Sequence, residues 1–401
     1  MSRRAVHAPS APDVLIVARS GRALAQAARA AGYRPYVIDL FGDVDTQVYA
    51  HSATRVAATA AGNFVAADLQ AISGQVAALY GPLPLVCGSG FESSPRLLAR
   101  LLHTHPSVYA PILAYQRLLD PPALWRRLHR LGVCVPPTLW RPTQRHVDWL
   151  VKRAATSGGA HVRRLTGSLR KNEYVQRFIV GDSLSALFLS NGRQTRLCGM
   201  AQHWRWAPTM VSAHWRYEGA CSLIPLPRRL AAQARAAGQV VAAELGLHGG
   251  FGLDFIRDRA GRLHVVDINP RLPATLDLYA NAATIFAAHV RACTAGALLY
   301  STARQSAVAG QLVIYAAGPW AVPAVVAWPR DCADRPQRGT QVAAGEPLCT
   351  LLATASAASV LRTTLQRRYR ALQRAIGPAA ASVLPSTINI RTRGGSDDGR
   401  P

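Results

Sequence analysis

Lysine is almost missing from this chain. Of its 46 basic residues only Lys152 and Lys171 are lysine, and the arginine majority outweighs 21 acidic residues to give a formal net charge of +25. The arginines are spread along the chain, with no zinc-finger spacing, leucine-zipper heptads or RNP-type aromatic motif beside them. The excess therefore reads as a coding preference, which weighs against nucleic acid and favours an anionic nucleotide or substrate. Long hydrophobic runs are also lacking: 312–317 and 321–328 fall well short of the ~20 residues of a membrane helix, so no membrane partner is expected. The start, MSRRAVHAPSAPD, has the arginines of a signal peptide without the apolar stretch behind them. The seven cysteines include no C-x-x-C pair, which suits free thiols in a reducing compartment. A cytoplasmic protein is expected. His103 and His105 precede a proline and read as a surface loop rather than a metal site.

What is present, 401 residues with 49% hydrophobic and 17% charged, suits two or three globular domains. Apolar strands at 14–18 and 36–40 flank an Ala-rich helix at 22–31, the start of a parallel sheet. Only Gly21 stands where a dinucleotide-binding G-x-G-x-x-G would be, so a Rossmann-like scaffold is favoured over NAD binding. A third strand at 83–87 runs into Gly88, Ser89, Gly90, Phe91 and Glu92, a turn at the sheet edge where ligands of open α/β sheets bind. Those glycines, Ser89 and Glu92 are candidate substrate contacts. An Arg-rich helix follows at 121–131, then strands at 149–153, 174–179, 185–190 and 195–200, with Asn191-Gly192 marking a hairpin. A helix at 228–245, strands at 252–257 and 263–268, and a helix near 278–294 complete an α+β middle. Past 300, short strands at 311–316, 322–326 and 347–352 and a basic helix at 360–376 suggest a small C-terminal appendage.

Two stretches carry chemistry. In the first, strands 252–257 and 263–268 each bring an acid among apolar neighbours, Asp254 and Asp267, with Asn269 on the same strand face as Asp267. A charge there is costly unless it is paired or bound to a metal. The hard oxygens suit magnesium, which takes few protein ligands and completes its shell with phosphate oxygens, and Arg271 adds a fixed positive fork. In the second, a strand ends in Lys152 and opens into Thr156-Ser157-Gly158-Gly159, bringing an ammonium and free backbone N–H groups to one point, as phosphate binding requires.

In this order these residues resemble the ATP-grasp superfamily, over roughly 118–293. With the composition and pattern above, the resemblance gives an expected α/β and α+β architecture: a Rossmann-like pre-ATP-grasp domain (13–117) and an ATP-grasp domain (118–300) of small (118–180) and large (181–300) subdomains from the resemblance, and a disordered start (1–12), a small β-rich C-terminal region with a basic helix (301–390) and a disordered tail (391–401) from the sequence pattern. It further implies that Lys152, Ser157, Gly158 and Gly159 bind phosphates, that Gln176, Phe178 and Ile179 in the run YVQRFI line the adenine site, and that Asp254, Asp267 and Asn269 hold Mg2+, with Mn2+ able to substitute. Arg271 would be catalytic. The family usually has Glu where Asp267 stands, a lysine where Pro121 stands, and a ribose-holding acid one position from Asp182, which is the candidate for that nucleotide contact here. An arginine such as Arg126 could supply the missing phosphate contact. The runs QRFIVGDSLSALFL and WRYEGACSLIPL look most like carboligases related to biotin carboxylase, and more distantly like tyramine–glutamate ligase-type enzymes of coenzyme assembly. The implied activity is an ATP- and Mg-dependent carboxylate–amine ligase using an acyl phosphate, with carboxylate and amine substrates and an assembly that admits a homodimer. The alternatives are a bicarbonate-using carboligase, or a non-catalytic basic protein that binds nucleotide or nucleic acid.

Overall fold

The computed structural model describes residues 11–105, 111–142, 148–204, 215–301 and 305–377. The ends at 1–10 and 378–401, on which the expectations of a disordered start and tail largely fall, lie outside the described residues. The N-terminal unit is a parallel four-stranded sheet, in the order Ser52–Arg55, Arg34–Asp39, Asp13–Val17, Leu85–Cys87. Its inner strand VLIV is fully buried on both faces, as a parallel sheet covered by helices demands. The strand Ser52–Arg55 and the helix Ala66–Tyr80 were not expected. The first reads SATR at the sheet edge, without an apolar pattern, and the second fully buries only Leu69 and Ser73, too little for a visible stripe. His105 also differs from expectation: it is buried, with Nδ1 accepting from the Leu83 backbone N–H at 3.0 Å.

The centre of the molecule is one antiparallel eight-stranded sheet. Its order is Leu263–Asn269, His248–Asp258, Gly181–Asn191, Thr195–His203, Gly219–Ser222, Val308–Tyr315, Pro347–Ala355 and Cys332–Ala333. The strands after residue 300 thus extend this sheet through the pairing of Gly219–Ser222 with Val308–Tyr315 and do not form a separate β unit. The expected strand at 322–326 is absent, because Pro323 removes a ladder donor; instead Trp320–Ala321 pairs with Gln341–Val342. The helix Arg228–Leu245 covers one face of the sheet over a core that includes Phe188, Phe251 and Phe255. On the other face Leu187, Leu189 and the helix Ala282–Ala295 share a core with Val14, Ile16 and Leu24, which joins the N-terminal unit to the centre. A smaller antiparallel sheet, Thr138–Leu139, Glu173–Arg177, Trp149–Arg153 and Arg163–Arg164, stands over the edge that carries Asp254 and Asp267. The cleft between the two sheets holds the candidate site. Among the described residues no helix is long and apolar enough to cross a membrane.

Candidate active site

The strands His248–Asp258 and Leu263–Asn269 pair in a register that sets Asp254 opposite Asp267. A bulge follows between Asp254 and Phe255, and such an insertion re-aims side chains beside a site. Both carboxylates enter a cleft of about 280 Å³ that is also lined by Lys152, Ser157, Gly158, Gly159, Asn269 and Arg271. Desolvation pushes both aspartates up, and Asp254 pushes Asp267 up further, while Lys152 and Arg271 only partly offset it. Asn269 Nδ2 lies 3.4 Å from Asp254 Oδ2.

Lys152 approaches from the smaller sheet, and its Nζ donates to the Val266 carbonyl at 2.9 Å, within the strand that carries Asp267. Burial lowers its pKa, against the pull of Asp267 and Asp254. The loop after it is pinned: Tyr217 N–H donates to the Gly158 carbonyl at 3.0 Å, and Val162 N–H to that of Gly159 at 3.0 Å. Gly159 sits at φ +76°, where a β-carbon would run into the Trp215 carbonyl, so only glycine lets that backbone approach. His161 also faces the cleft, pushed down to about 4 by burial and then by Lys152 and Arg153. It is neutral at physiological pH.

Gln176, Phe178 and Ile179 line the same cleft. Gln176 is buried and its Nε2 donates to Thr138 Oγ1 at 3.2 Å, while Arg164 caps the Phe178 ring at 3.9 Å. Arg271 is fixed at the far end, with Nη2 donating to Asn269 Oδ1 at 3.0 Å and Nε to Glu92 Oε1 at 3.2 Å. Of the turn at the N-terminal sheet edge, Glu92 alone reaches the cleft. Gly88 is packed against Ala18, and Gly90, at φ +121°, against Phe64; neither they nor Ser89 line the cavity. Asp182 lies outside it too, because register places it opposite Arg257, to which it is ion-paired at 2.7 Å. Arg126 is exposed on its helix and does not line the cleft, whereas Pro121, Arg153 and Arg177 do. Sequence reasoning did not single out His161, Tyr174, Tyr217 or Thr275, all of which line it. Tyr174 and Tyr217 stand in runs that carry the resemblance; Thr275 has no local signal.

The donors suit a divalent cation: two carboxylates held close and raised by incomplete compensation, with an amide beside them. Among the described residues no group of three or more His, Cys, Asp or Glu gathers for one, so phosphate oxygens would have to complete such a shell.

Residues 122–275 match the family model of the ATP-grasp domain. No curated protein matches the chain by sequence. Solved structures match its fold. The biotin carboxylase domain dimer of Hydrogenobacter thermophilus 2-oxoglutarate carboxylase, in complex with MgADP, ADP and bicarbonate, superposes with TM-score 0.67 and 14% identity over 92% of this chain and 91% of that one. N5-carboxyaminoimidazole ribonucleotide synthetase from Thermus thermophilus gives 0.65 and 16% over 91% and 98%, and L-amino acid ligase from Bacillus licheniformis gives 0.62 and 12% over 91% and 97%. The stretch similar to the ATP-grasp domain, 122–275, thus contains Lys152, Asp254 and Asp267, which line the cleft between the smaller and the larger antiparallel sheet.

Proposed function

We propose that this protein is an ATP- and magnesium-dependent ligase that joins a carboxylate to an amine through an acyl phosphate. The observation that carries this reading is the convergence of Lys152, the Ser157–Gly159 loop, Asp254, Asp267, Asn269 and Arg271 on one cleft of an ATP-grasp domain. Asp254, Asp267 and Asn269 would hold the magnesium, which supplies charge neutralisation on the nucleotide's phosphate oxygens. Lys152 and the loop N–H groups bind the same phosphates from the opposite wall, and Gln176, Phe178 and Ile179 bound the base. The substrate carboxylate attacks the γ-phosphorus and ADP leaves. Arg271, held in place by Glu92, steadies the developing charge until the amine nitrogen attacks the acyl carbon, phosphate departs and the nitrogen loses its proton.

Work in coenzyme assembly and a homodimeric state are finer parts of the proposal, supported by the resemblance and by the dimer named in one structural match. A cytoplasmic location is supported by seven cysteines outside any disulfide. The test is ADP release from MgATP with pooled carboxylates and amines, followed by replacement of the amine with hydroxylamine, which should trap a hydroxamate. Mg-ATP should also raise Tm, since a ligand bound only to the folded state stabilises it by mass action. Lys152→Ala should lose most of that shift, and exposed Lys171→Ala should keep it. No shift at millimolar nucleotide in the wild type would overturn the reading.

A further inference from the structure

A second, open depression of about 400 Å³ shares the wall 177–179 with the cleft, and His129, Cys134, Arg177, Asp258, Arg262 and His264 line it. Three of these side chains form a relay. Cys134 Sγ lies 3.2 Å from His264 Nδ1, and His264 Nε2 lies 2.9 Å from Asp258 Oδ2. A carboxylate against Nε2 selects the tautomer with its proton there, leaving Nδ1 as the acceptor for the thiol proton. The bond from His264, then those from Arg262, hold the Asp258 carboxyl well below its usual range, so it stays ionised.

The relay sits on fixed backbone. Val265 N–H donates to the Cys134 carbonyl at 2.9 Å, tying the cysteine to the strand that carries His264. Arg262 clamps Asp258 through its backbone N–H at 2.9 Å and Nε at 3.0 Å. Of the seven cysteines, Cys134 alone is exposed. Partial desolvation by the depression's wall pushes its thiol up, so at neutral pH it keeps its proton and needs a base to become a nucleophile. His264 is that base by position. Arg177, Arg262 and His129 border the depression and favour an anionic partner.

We propose that Cys134, with His264 as its base and Asp258 positioning the ring, is a covalent modification site for a small anionic disulfide. His264 Nδ1 takes the thiol proton, and the thiolate attacks one sulfur of the disulfide. The incoming S–S bond breaks as the bond to Cys134 forms, and the departing thiolate receives the proton from His264. Cys134 is oxidised, the released thiol is reduced, and no further oxidant is needed.

The test incubates the full-length protein with excess glutathione disulfide from about pH 6 to about pH 9, a range that spans the ordinary histidine and thiol titrations, and follows intact mass and peptide maps. One adduct per chain is expected, on Cys134 and absent from Cys134→Ser. At neutral pH the rate should exceed that of His264→Ala at least about tenfold, as general-base assistance supplies. Without its base the variant depends on free thiolate alone, so its rate should climb more steeply with pH than that of the wild type and approach it on the alkaline side. Asp258→Asn should behave like His264→Ala, so a variant that misfolds leaves a second one to judge. His129, Arg177, Arg262 and Asp258 face the thiol in every variant that retains them and set the common background. An adduct on another cysteine, no adduct, or a wild-type rate at neutral pH no higher than that of His264→Ala overturns the proposal.

Discussion

Arg22 and Lys152 each lie among aspartates that are at least half-buried, and they meet them in opposite ways. Arg22, 2% exposed, grips Asp277 with both terminal nitrogens at 2.7 and 2.6 Å and reaches Asp334 through Nε at 3.0 Å. Asp45, close by, accepts the backbone N–H groups of Asp334 and Arg335 at 2.8 and 3.0 Å. One guanidinium thereby ties the N-terminal unit, the turn Ala274–Leu278 and the C-terminal extension together. Lys152 spends its hydrogen bond on a backbone carbonyl and offers Asp254 and Asp267 only its field. A planar fork closes an acidic cluster, and a point charge on a flexible stem leaves one open. In a chain where arginine has nearly replaced lysine, one of the two lysines left stands where an open cluster faces a cleft.

The largest expected effect is at the open cluster. Asp267→Asn keeps volume and removes a charge that a cation needs, so ligase turnover should fall by on the order of 10²–10³ or more. The apo protein should melt no lower, because desolvation and Asp254 already disfavour the Asp267 carboxylate. ADP release measured beside a melting curve checks both. A variant that unfolds would move Asp267 into the class to which Arg22 belongs.

At the closed cluster the expectation reverses. Arg22→Ala removes the buried partner of Asp277 and Asp334, whose side chains are only 11% and 23% exposed, and should destabilise the fold by about 3–5 kcal/mol. Equilibrium denaturation in urea reads this directly. A loss under about 1 kcal/mol would mean that the two halves of the molecule do not depend on this contact.

A third expectation concerns pH. Asp43 borders the same junction, and burial, then Asp334 and Asp39, push it up to about 8. Its unfolded counterpart titrates near about 3.9, so between those values the native state holds a proton that the unfolded chain has released. Stability from this group is therefore intact below about pH 4 and is lost as pH rises toward 8. Asp43→Asn should flatten that decline and leave the protein more stable on the alkaline side, as melting curves across the range would show.

The open cluster was legible in the sequence and the closed one was not, for a physical reason. Asp254, Asp267, Asn269 and Arg271 sit on one hairpin, where strand periodicity alone aligns them. The helix Arg228–Leu245 and the strand Trp149–Arg153 were likewise readable to the residue, the helix because Pro227 starts it and Gly246, in the left-handed region, ends it. Arg22 and Asp334 are 312 positions apart, and no local spacing joins them. The same holds for Cys134 and His264, and for the pairing that merges the C-terminal strands with the central sheet. Asp182 shows the converse: motif position made it the ribose candidate, while strand register sets it opposite Arg257, with which it is ion-paired outside the cleft.

Asp182 supplies the smallest expected effect. Its ion pair with Arg257 is partly open to solvent, with side chains 26% and 33% exposed, and such pairs contribute about 0–1 kcal/mol. Asp182→Asn should therefore shift Tm little, and it should leave the Mg-ATP-induced shift at the wild-type size, because the residue does not line the cleft. Asp267→Asn measured in parallel fixes the scale of a true loss. If Asp182→Asn instead cut nucleotide binding tenfold, the carboxylate would have to leave Arg257 and turn into the cleft when nucleotide binds. The two acids would then differ by a change of partner rather than by place.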